Sequence, residues 1–357
     1  MKYLHAINKI SGVGPQKIKL LKNHFSDNQS IWEASASDLN ASGLPPKLIE
    51  IMLVERKNIN PDAEWEFLQK ENIEIVSLDD PLYPAFLREI PNPPHIIYIK
   101  GQKEVLSTPM ISVVGSRKYS SYGSQVAENF AYEIATAGIT VVSGMAIGID
   151  TFAHKGTLSA NGKTIAVLGN SLDEKNIYPR NNCNLAREIS QSGLLLSEYP
   201  PETKAGPLTF PARNRIVAGL SRGTLVVEAG EKSGALITAK MALDYNREVF
   251  SVPGSIYAPE SIGTHMLIQQ GAKLVMNVSN ILEELPFNPE KKQLPLFRIP
   301  ETETEKILLN VLSSAPIHID NIAKLAKLET MAVSSSLSML EIKGWVKNIG
   351  GQNYIII

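Results

Sequence analysis

One short stretch combines an aromatic residue with two arginines. Residues 210–215 read Phe-Pro-Ala-Arg-Asn-Arg and lead into an apolar run that is typical of the buried face of a helix. Arg213, Asn214 and Arg215 are predicted to lie at the start of this helix, where unpaired backbone N–H groups and the helix dipole attract anions. Phe210 adds a ring on which a nucleic-acid base can stack. These residue types favour a site for a phosphate backbone with an unpaired base beside it.

Ion pairs within the protein are the alternative interpretation of the same arginines. Glu198 and Glu228 each follow a predicted strand and are suitable partners. The positions of two further arginines favour the anion site, because Arg117 and Arg180 also lie in loops that follow predicted strands. Whether these loops meet depends on how the strands pair.

Seven apolar segments of strand length alternate with helical patterns between residues 110 and 285. This alternation requires parallel pairing with right-handed crossovers, which predicts a Rossmann-like, doubly wound α/β sheet with helices on both faces. The predicted strands are residues 111–114, 139–143, 164–168, 194–197, 224–227, 249–252 and 273–276. Loops after parallel strands emerge at the carboxyl edge of a sheet, where open α/β sheets bind ligands. The arginine-bearing loops are therefore expected to meet along one rim.

The whole chain is predicted to contain five segments. They are a helix-hairpin-helix or SAM-like helical domain at 1–60, a proline-rich connector with an edge strand at 61–109, the Rossmann-like core at 110–285, a linker at 286–300 and a winged-helix domain at 301–357. Gly12 and Gly14 form the hairpin turn, and lysines follow it; such hairpins contact DNA phosphates in some proteins and only pack in others. The predicted recognition helix of the winged helix, residues 331–340, has serines but no lysine or arginine, which favours protein binding or a supportive role over base reading.

Composition excludes several classes of protein. No apolar run reaches the roughly 20 residues of a membrane-spanning helix, and the N-terminus lacks a signal-peptide pattern, so a cytoplasmic protein without membrane contact is expected. The single cysteine, Cys183, cannot form an internal disulfide, and no Cys or His cluster has the spacing of a metal site. With a formal net charge of −1, any binding of nucleic acid must depend on a local cluster of charge.

The loop motifs, taken together, resemble the DNA-processing protein A family, known as DprA or Smf. The resemblance rests on Gly115-Ser116-Arg117, Ser143-Gly144-Met145-Ala146, Gly148-Ile149-Asp150, the 210–215 stretch and Ser233-Gly234-Ala235-Leu236-Ile237-Thr238. It covers residues 110–277 in order and with natural spacing. The resemblance implies a protein without catalysis or cofactor that binds single-stranded DNA, protects incoming strands during natural transformation and loads the recombinase RecA onto them.

The resemblance also implies specific residues. The DNA-binding set it implies is Gly115, Ser116, Arg117, Ser143, Gly144, Arg180, Phe210, Arg213, Asn214 and Arg215. Family members also associate as homodimers through the later part of the Rossmann-like region. Here this implies contacts from the helix that contains Leu243 and from the segment around His265.

A nucleotide-binding enzyme is the main alternative function. Glu228 at the end of a predicted strand is similar to the glutamate of lysine-decarboxylase-like phosphoribohydrolases, although the Pro-Gly-Gly and Gly-Thr signature of those enzymes is missing. Asp150 and His154 are one helical turn apart, as in some general-base pairs. A capping aspartate and a packed histidine explain the same two residues, and no nucleophile accompanies them in sequence.

Overall fold

The computed structural model describes residues 1–285, 302–313 and 315–356, which belong to two compact units, residues 1–292 and 293–357. The predicted linker at 286–300 lies outside the described residues. Within the described part, no helix is long and apolar enough to cross a membrane.

Six helices form the N-terminal part of the first unit, within residues 1–70. They are α1 (Lys2–Asn8), α2 (Pro15–His24), α3 (Asn28–Glu33), α4 (Ala36–Ala41), α5 (Pro46–Glu55) and α6 (Pro61–Lys70). Proline starts α2, α5 and α6, where its missing N–H costs no helical hydrogen bond. Lys2 of α1 forms an ion pair with Asp62 of α6 at 2.6 Å. α6, which follows the boundary predicted at residue 60, thus contacts α1 of the helical domain.

A nine-stranded sheet forms the centre of the first unit within residues 74–274. Its strands are β1 (Glu74–Ser77), β2 (Ile96–Gly101), β3 (Met110–Val114), β4 (Thr140–Ser143), β5 (Thr164–Val167), β6 (Leu194–Ser197), β7 (Gly223–Val226), β8 (Glu248–Ser251) and β9 (Lys273–Leu274). Their spatial order is β1-β2-β6-β5-β4-β3-β7-β8-β9. All seven strands predicted in the core are present, and every pair among β3–β9 is parallel. The doubly wound fold is thus confirmed.

The connector extends this sheet with two antiparallel strands. β2 pairs with β6 on one side and with β1 on the other. The prediction of an edge strand at residues 96–99 is therefore wrong, because β1 covers that edge. The hydroxyl of Tyr98 on β2 lies 2.9 Å from Nδ1 of His5 and accepts a 3.1 Å hydrogen bond from Asn8, which joins the helical domain to the sheet.

Helices cover both faces of the sheet. They are α7 (Ala85–Arg88), α8 (Ser121–Thr136), α9 (Ile149–Ser159), α10 (Cys183–Ser192), α11 (Thr209–Leu220), α12 (Gly234–Asp244), α13 (Ile262–Gln269) and α14 (Ser279–Leu282). The strand order runs outward from β3 to β6, and the chain then returns to place β7 on the other side of β3. The switch point between β3 and β7 is the position where such sheets form a ligand crevice.

The described part of the second unit has a winged-helix arrangement, as predicted. Its elements are α15 (Glu303–Val311), β10 (Ile317–His318), α16 (Ile319–Ala326), α17 (Thr330–Ile342), β11 (Val346–Asn348) and β12 (Asn353–Ile356). The three strands form a sheet in the order β10-β12-β11, and Leu308, Ile322 and Leu337 from the three helices share one core. Met331 and Ile342 on the predicted recognition helix α17 are exposed.

Candidate nucleic-acid cleft

A cavity of about 790 Å³ lies at the switch point of the sheet. We call it the switch-point cleft. The loops after β3, β4 and β5, together with α11 and the start of α12, line it. Its polar and aromatic lining residues are Ser116, Arg117, Lys118, Asp150, Tyr178, Phe210, Arg213, Asn214, Ser233 and Thr238. The parallel sheet thus brings loops that are distant in sequence to one edge, as predicted.

Arg117 and Phe210 lie together at the centre of this cleft. The guanidinium of Arg117 lies over the ring of Phe210, 5.1 Å from its centroid. Tyr178 lies on the loop that follows β5. The centroid of its ring is 5.6 Å from that of Phe210, and the two ring planes are tilted by 40°. Arg117 and Tyr178 are exposed and Phe210 is half-buried. A cation next to two aromatic rings can contact a phosphate and an unpaired base at the same time.

Arg213 lies at the base of the cleft and is only 4% exposed. Its Nη1 donates hydrogen bonds to the carbonyls of Gly144 and Val167, at the ends of β4 and β5. Its Nε donates to Oδ1 of Asn214 at 3.2 Å. Burial lowers the pKa of Arg213, and the nearby carboxylate of Asp150 opposes this change. The arginine therefore holds two strand ends together and places a buried positive charge under the cleft.

The helix that carries these residues begins earlier than predicted. α11 starts at Thr209, so Phe210 is in its first turn and Arg213 is in its second. The prediction that Arg213, Asn214 and Arg215 lie at the helix start is therefore wrong. Pro211 is accommodated because a proline in the first turn removes no helical hydrogen bond. The charged groups of this stretch therefore lie on side chains of the second turn of α11, and not at its N-terminus.

Asp150 shapes the loop that follows β4. Its Oδ2 accepts hydrogen bonds from the backbone N–H of Gly144 at 3.1 Å and of Ala146 at 3.3 Å. His154 has a different partner, since its Nδ1 lies 2.7 Å from Oγ1 of Thr164. Burial lowers the pKa of His154 to about 3. These separate contacts do not form a general-base pair. His154 is packed, as the structural interpretation predicts, but Asp150 is not a helix cap: it lies in the first turn of α9 and bonds the preceding loop.

The glycines of the two rim loops are surrounded by side chains of the protein itself. A Cβ atom at Gly115 would lie 2.6 Å from Ile149, and one at Gly144 would lie 2.5 Å from Nη1 of Arg213. Ser143 is fully buried, and its Oγ donates to the carbonyl of Val113 at 2.7 Å. Gly115, Gly144 and Ser143 therefore support the cleft by close packing. Gly115, Ser116 and Gly144 also line the cleft itself.

Arg215 lies outside the cleft. It forms a largely buried ion pair with Glu198, which is the alternative interpretation proposed for these arginines. Burial raises the pKa of Glu198, and the charge of Arg215 acts against that rise. Glu228 has another role: its carboxylate accepts the backbone N–H of Ser120 at 3.0 Å, just before α8 begins. The structure thus brings together Arg117, Phe210, Arg213 and Asn214, but not Arg215.

Arg180 lines a neighbouring cavity of about 510 Å³. Lys175 and Lys204 line the same cavity, and Tyr178 borders both this cavity and the switch-point cleft. The Arg180 guanidinium donates to the carbonyl of Lys175. Sequence reasoning did not include Tyr178 and the two lysines in the site. The Tyr-Pro-Arg sequence at 178–180 was the available signal for Tyr178, whereas the lysines occur in loops without a motif.

Two family models match this chain. Residues 74–286 match the model of DNA recombination-mediator protein A, and residues 295–352 match that of the DprA winged helix domain. A curated relative, Protein Smf of Synechocystis sp., is 37% identical over 390 residues, which cover 99% of this chain and 98% of that protein.

Two solved structures are similar to this one. The X-ray structure of DNA processing protein A from Streptococcus pneumoniae matches with a TM-score of 0.70 and 37% identity, covering 80% of this chain and 99% of that chain. The Helicobacter pylori DNA processing protein A matches with a TM-score of 0.53 and 33% identity, covering 59% of this chain and 94% of that chain, and its structure is described as showing a unique single-stranded DNA binding mode.

Proposed function

We propose that this chain, which belongs to the DNA recombination-mediator protein A (DprA) family, binds single-stranded DNA in the switch-point cleft. The observation that carries this proposal is the guanidinium of Arg117 over the ring of Phe210, next to Tyr178 and above the buried charge of Arg213. The single-stranded DNA binding of the Helicobacter pylori relative supports the same ligand.

The proposed binding mechanism combines charge and stacking. Arg117 and Arg180 contact phosphates, and Asn214 offers an amide in the same cleft. Arg213 contributes its charge from below, since its Nη1 is already bonded to two carbonyls. A single strand is preferred because only an unpaired base can leave its neighbours and stack on Phe210. Contacts to phosphates and stacking on ring faces do not distinguish one base from another, so binding is independent of the DNA sequence.

Phe210→Ala is expected to weaken binding of single-stranded DNA by about 1–3 kcal/mol, which is the typical loss when one stacked base loses its aromatic partner. Binding of duplex DNA should change less, because paired bases cannot reach the ring. Fluorescence anisotropy with labelled single and double strands of equal length measures both. Phe210→Tyr keeps a ring and is the matched control. An equal loss with both kinds of DNA would exclude stacking at this position.

We propose that the protein acts without catalysis. Glu228 is 2% exposed and bonded at the start of α8, and the carboxylate of Asp150 is bonded to two backbone N–H groups. Both carboxylates thus have structural partners. Release of free base from a nucleoside monophosphate, lost in Glu228→Ala, would instead establish the phosphoribohydrolase alternative.

Within the cell, we propose that the protein protects incoming single strands and loads RecA onto them during natural transformation. Its membership of a recombination-mediator family supports this role, and we propose that it acts in the cytoplasm. The exposed Met331 and Ile342 on α17, a helix without lysine or arginine, favour a protein contact by the winged helix over base reading.

We also propose a homodimer that forms through the later part of the core. Leu243 on α12 is 52% exposed, and Tyr257 and Met276 are exposed in the same part of the chain. Nε2 of His265 lies 3.1 Å from the carbonyl of Gly254 and holds the loop that leads to Tyr257. Two clefts on one dimer would bind one strand more tightly than a single cleft, because the second contact is intramolecular.

Leu243→Arg is expected to convert the dimer into a monomer. The reason is that a guanidinium at an apolar interface must lose its water without gaining a partner, which costs about 2–4 kcal/mol. Light scattering after size-exclusion chromatography measures the mass of the particle. Val54→Arg, which places the same charge at a 60% exposed apolar residue of the helical domain, is the control and should leave the mass unchanged. A dimer that persists in Leu243→Arg would exclude α12 from the interface.

A further inference from the structure

A second cationic cavity lies between the helical domain and the connector. It has a volume of about 600 Å³, and we call it the connector groove. One wall is α2, from which Gln16, Lys19 and Lys22 line the groove at the three-residue spacing of one helix face. The other wall contains Arg88, residues 91–93 and His95. Nε2 of Gln16 donates to Oδ1 of Asn92 at 3.1 Å and links the two walls.

Positive charge exceeds negative charge in this groove. Lys19, Lys22 and Arg88 line it, and Asp79 is the acidic residue among its lining residues. Asp79 forms an ion pair with Lys22, which holds the pKa of the carboxyl below its usual value. The Arg88 guanidinium donates to the carbonyl of Asp80 at 3.0 Å. The charge of Arg88 also acts on Asp79 and lowers its pKa. Three cationic side chains, Lys19, Lys22 and Arg88, therefore share one lining carboxylate in the groove.

A buried polar group in the wall indicates that this groove is a binding site and not only a charged surface. His95 is 8% exposed and lines the groove, and its buried Nδ1 has no hydrogen-bond partner among the described residues. Burial and the charges of Lys22 and Lys19 lower the pKa of this imidazole, so it is neutral at pH 7. A neutral imidazole can donate one hydrogen bond to a phosphate oxygen.

The groove opens at the same edge of the sheet as the switch-point cleft. His95 directly precedes β2, and its carbonyl accepts a 3.0 Å hydrogen bond from the N–H of Leu78, which directly follows β1. β2 is antiparallel to β6, so its start lies beside the carboxyl end of β6. With four strand spacings from β2 to β3, the two sites are roughly 20 Å apart. The loops between them carry Lys175, Arg180 and Lys204.

We propose that the connector groove binds phosphates of the same DNA strand that occupies the switch-point cleft. This inference rests on the proposed function, because the strand must first bind in the cleft. A strand that leaves Tyr178 along the sheet edge passes the cavity of Arg180 and reaches Lys19 and Lys22. There its phosphates compete with Asp79 for Lys22 and accept hydrogen bonds from Arg88 and His95. The lysine face of α2 makes this contact, and not the glycine turn, where the N–H of Ser11 already donates to Glu55.

The test compares two lengths of oligothymidylate, of about 5 and about 20 nucleotides, across a salt series. The Lys19→Ala/Lys22→Ala double variant removes two phosphate contacts from the long strand. Since each contact to a single strand contributes about 0.7 to the slope of log affinity against log salt, the slope should fall by about 1.4. When salt is raised from 50 to 200 mM, both proteins lose affinity for the long strand. The factor by which the wild type weakens should be about 7 times larger than the factor for the variant. The short strand should bind both proteins equally.

Two further variants distinguish specific binding in the connector groove from a general electrostatic attraction of DNA to the protein surface. Lys17→Ala removes a lysine of α2 that does not line the groove, and it should bind the long strand like the wild type. Asp79→Asn removes the competing carboxylate and should tighten binding of the long strand. If the double variant behaves like Lys17→Ala, or weakens both lengths equally, the inference is overturned while the proposed function stands. If the wild type binds neither strand, the proposed function itself fails.

Discussion

Replacing Arg117 with alanine is expected to weaken binding of single-stranded DNA roughly 10- to 100-fold. A hydrogen bond to a charged group contributes about 1.5–3 kcal/mol, and 1.4 kcal/mol corresponds to a factor of ten in affinity. Arg117 is an exposed cation of the switch-point cleft, and its position over Phe210 keeps it beside the proposed base. The variant loses both the phosphate contact and the cation that orders the ring.

The salt dependence identifies the kind of contact that Arg117 makes. Loss of one phosphate contact lowers the slope of log affinity against log salt by about 0.7, whereas loss of the Phe210 ring leaves the slope unchanged. Anisotropy titrations of the two single variants across a salt series therefore separate charge from stacking. A loss confined to particular base sequences would contradict phosphate binding by Arg117.

Arg187→Ala is the matched control for this measurement. Arg187 is an exposed arginine on α10 that pairs with Glu174 and lines neither the switch-point cleft nor the cavity of Arg180. The substitution removes the same charge from the protein. An equal loss of affinity in Arg117→Ala and Arg187→Ala would show that net charge, and not the cleft, determines binding.

The core strands were predictable because the residues of each strand themselves form a recognisable apolar run. β3–β8 are short, mainly apolar runs that end in valine or serine, and parallel pairing then fixes the edge at which their loops emerge. β1 was not predictable in this way. Its four residues, Glu74–Ser77, become a strand by pairing with β2, a contact that local sequence does not encode.

The sequence alone also does not predict which arginine of the Arg-Asn-Arg sequence lies at the cleft and which forms an ion pair. Arg213 and Arg215 are alike in type and two positions apart, yet one lies under the cleft and the other pairs with Glu198. Which side of α11 faces the cleft depends on where the helix begins. Because α11 begins before Pro211 and not after it, the helix presents Arg213, and not Arg215, to the carbonyls of Gly144 and Val167.

Arg213→Ala is expected to lower the free energy of unfolding by about 3–5 kcal/mol, the usual cost of removing one partner from a buried charged network. The variant leaves the carbonyls of Gly144 and Val167 without their donor, and it removes the cation near Asp150. Burial already raises the pKa of Asp150 against the effect of Arg213, so loss of the arginine raises it further. A typical domain has only about 5–15 kcal/mol of stability, so the shift should be large.

Urea denaturation followed by tryptophan fluorescence tests this prediction if the background carries Trp345→Phe. Of the three tryptophans in the chain, Trp32 and Trp65 then report only on the first unit. Arg180→Ala is the control, because its exposed guanidinium lies at the surface and its loss should change the unfolding free energy by less than about 0.5 kcal/mol. Equal stability of the two variants would contradict a bridging role for Arg213. It would then act chiefly as a phosphate ligand, and its substitution would lower the salt slope of DNA binding as Arg117→Ala does.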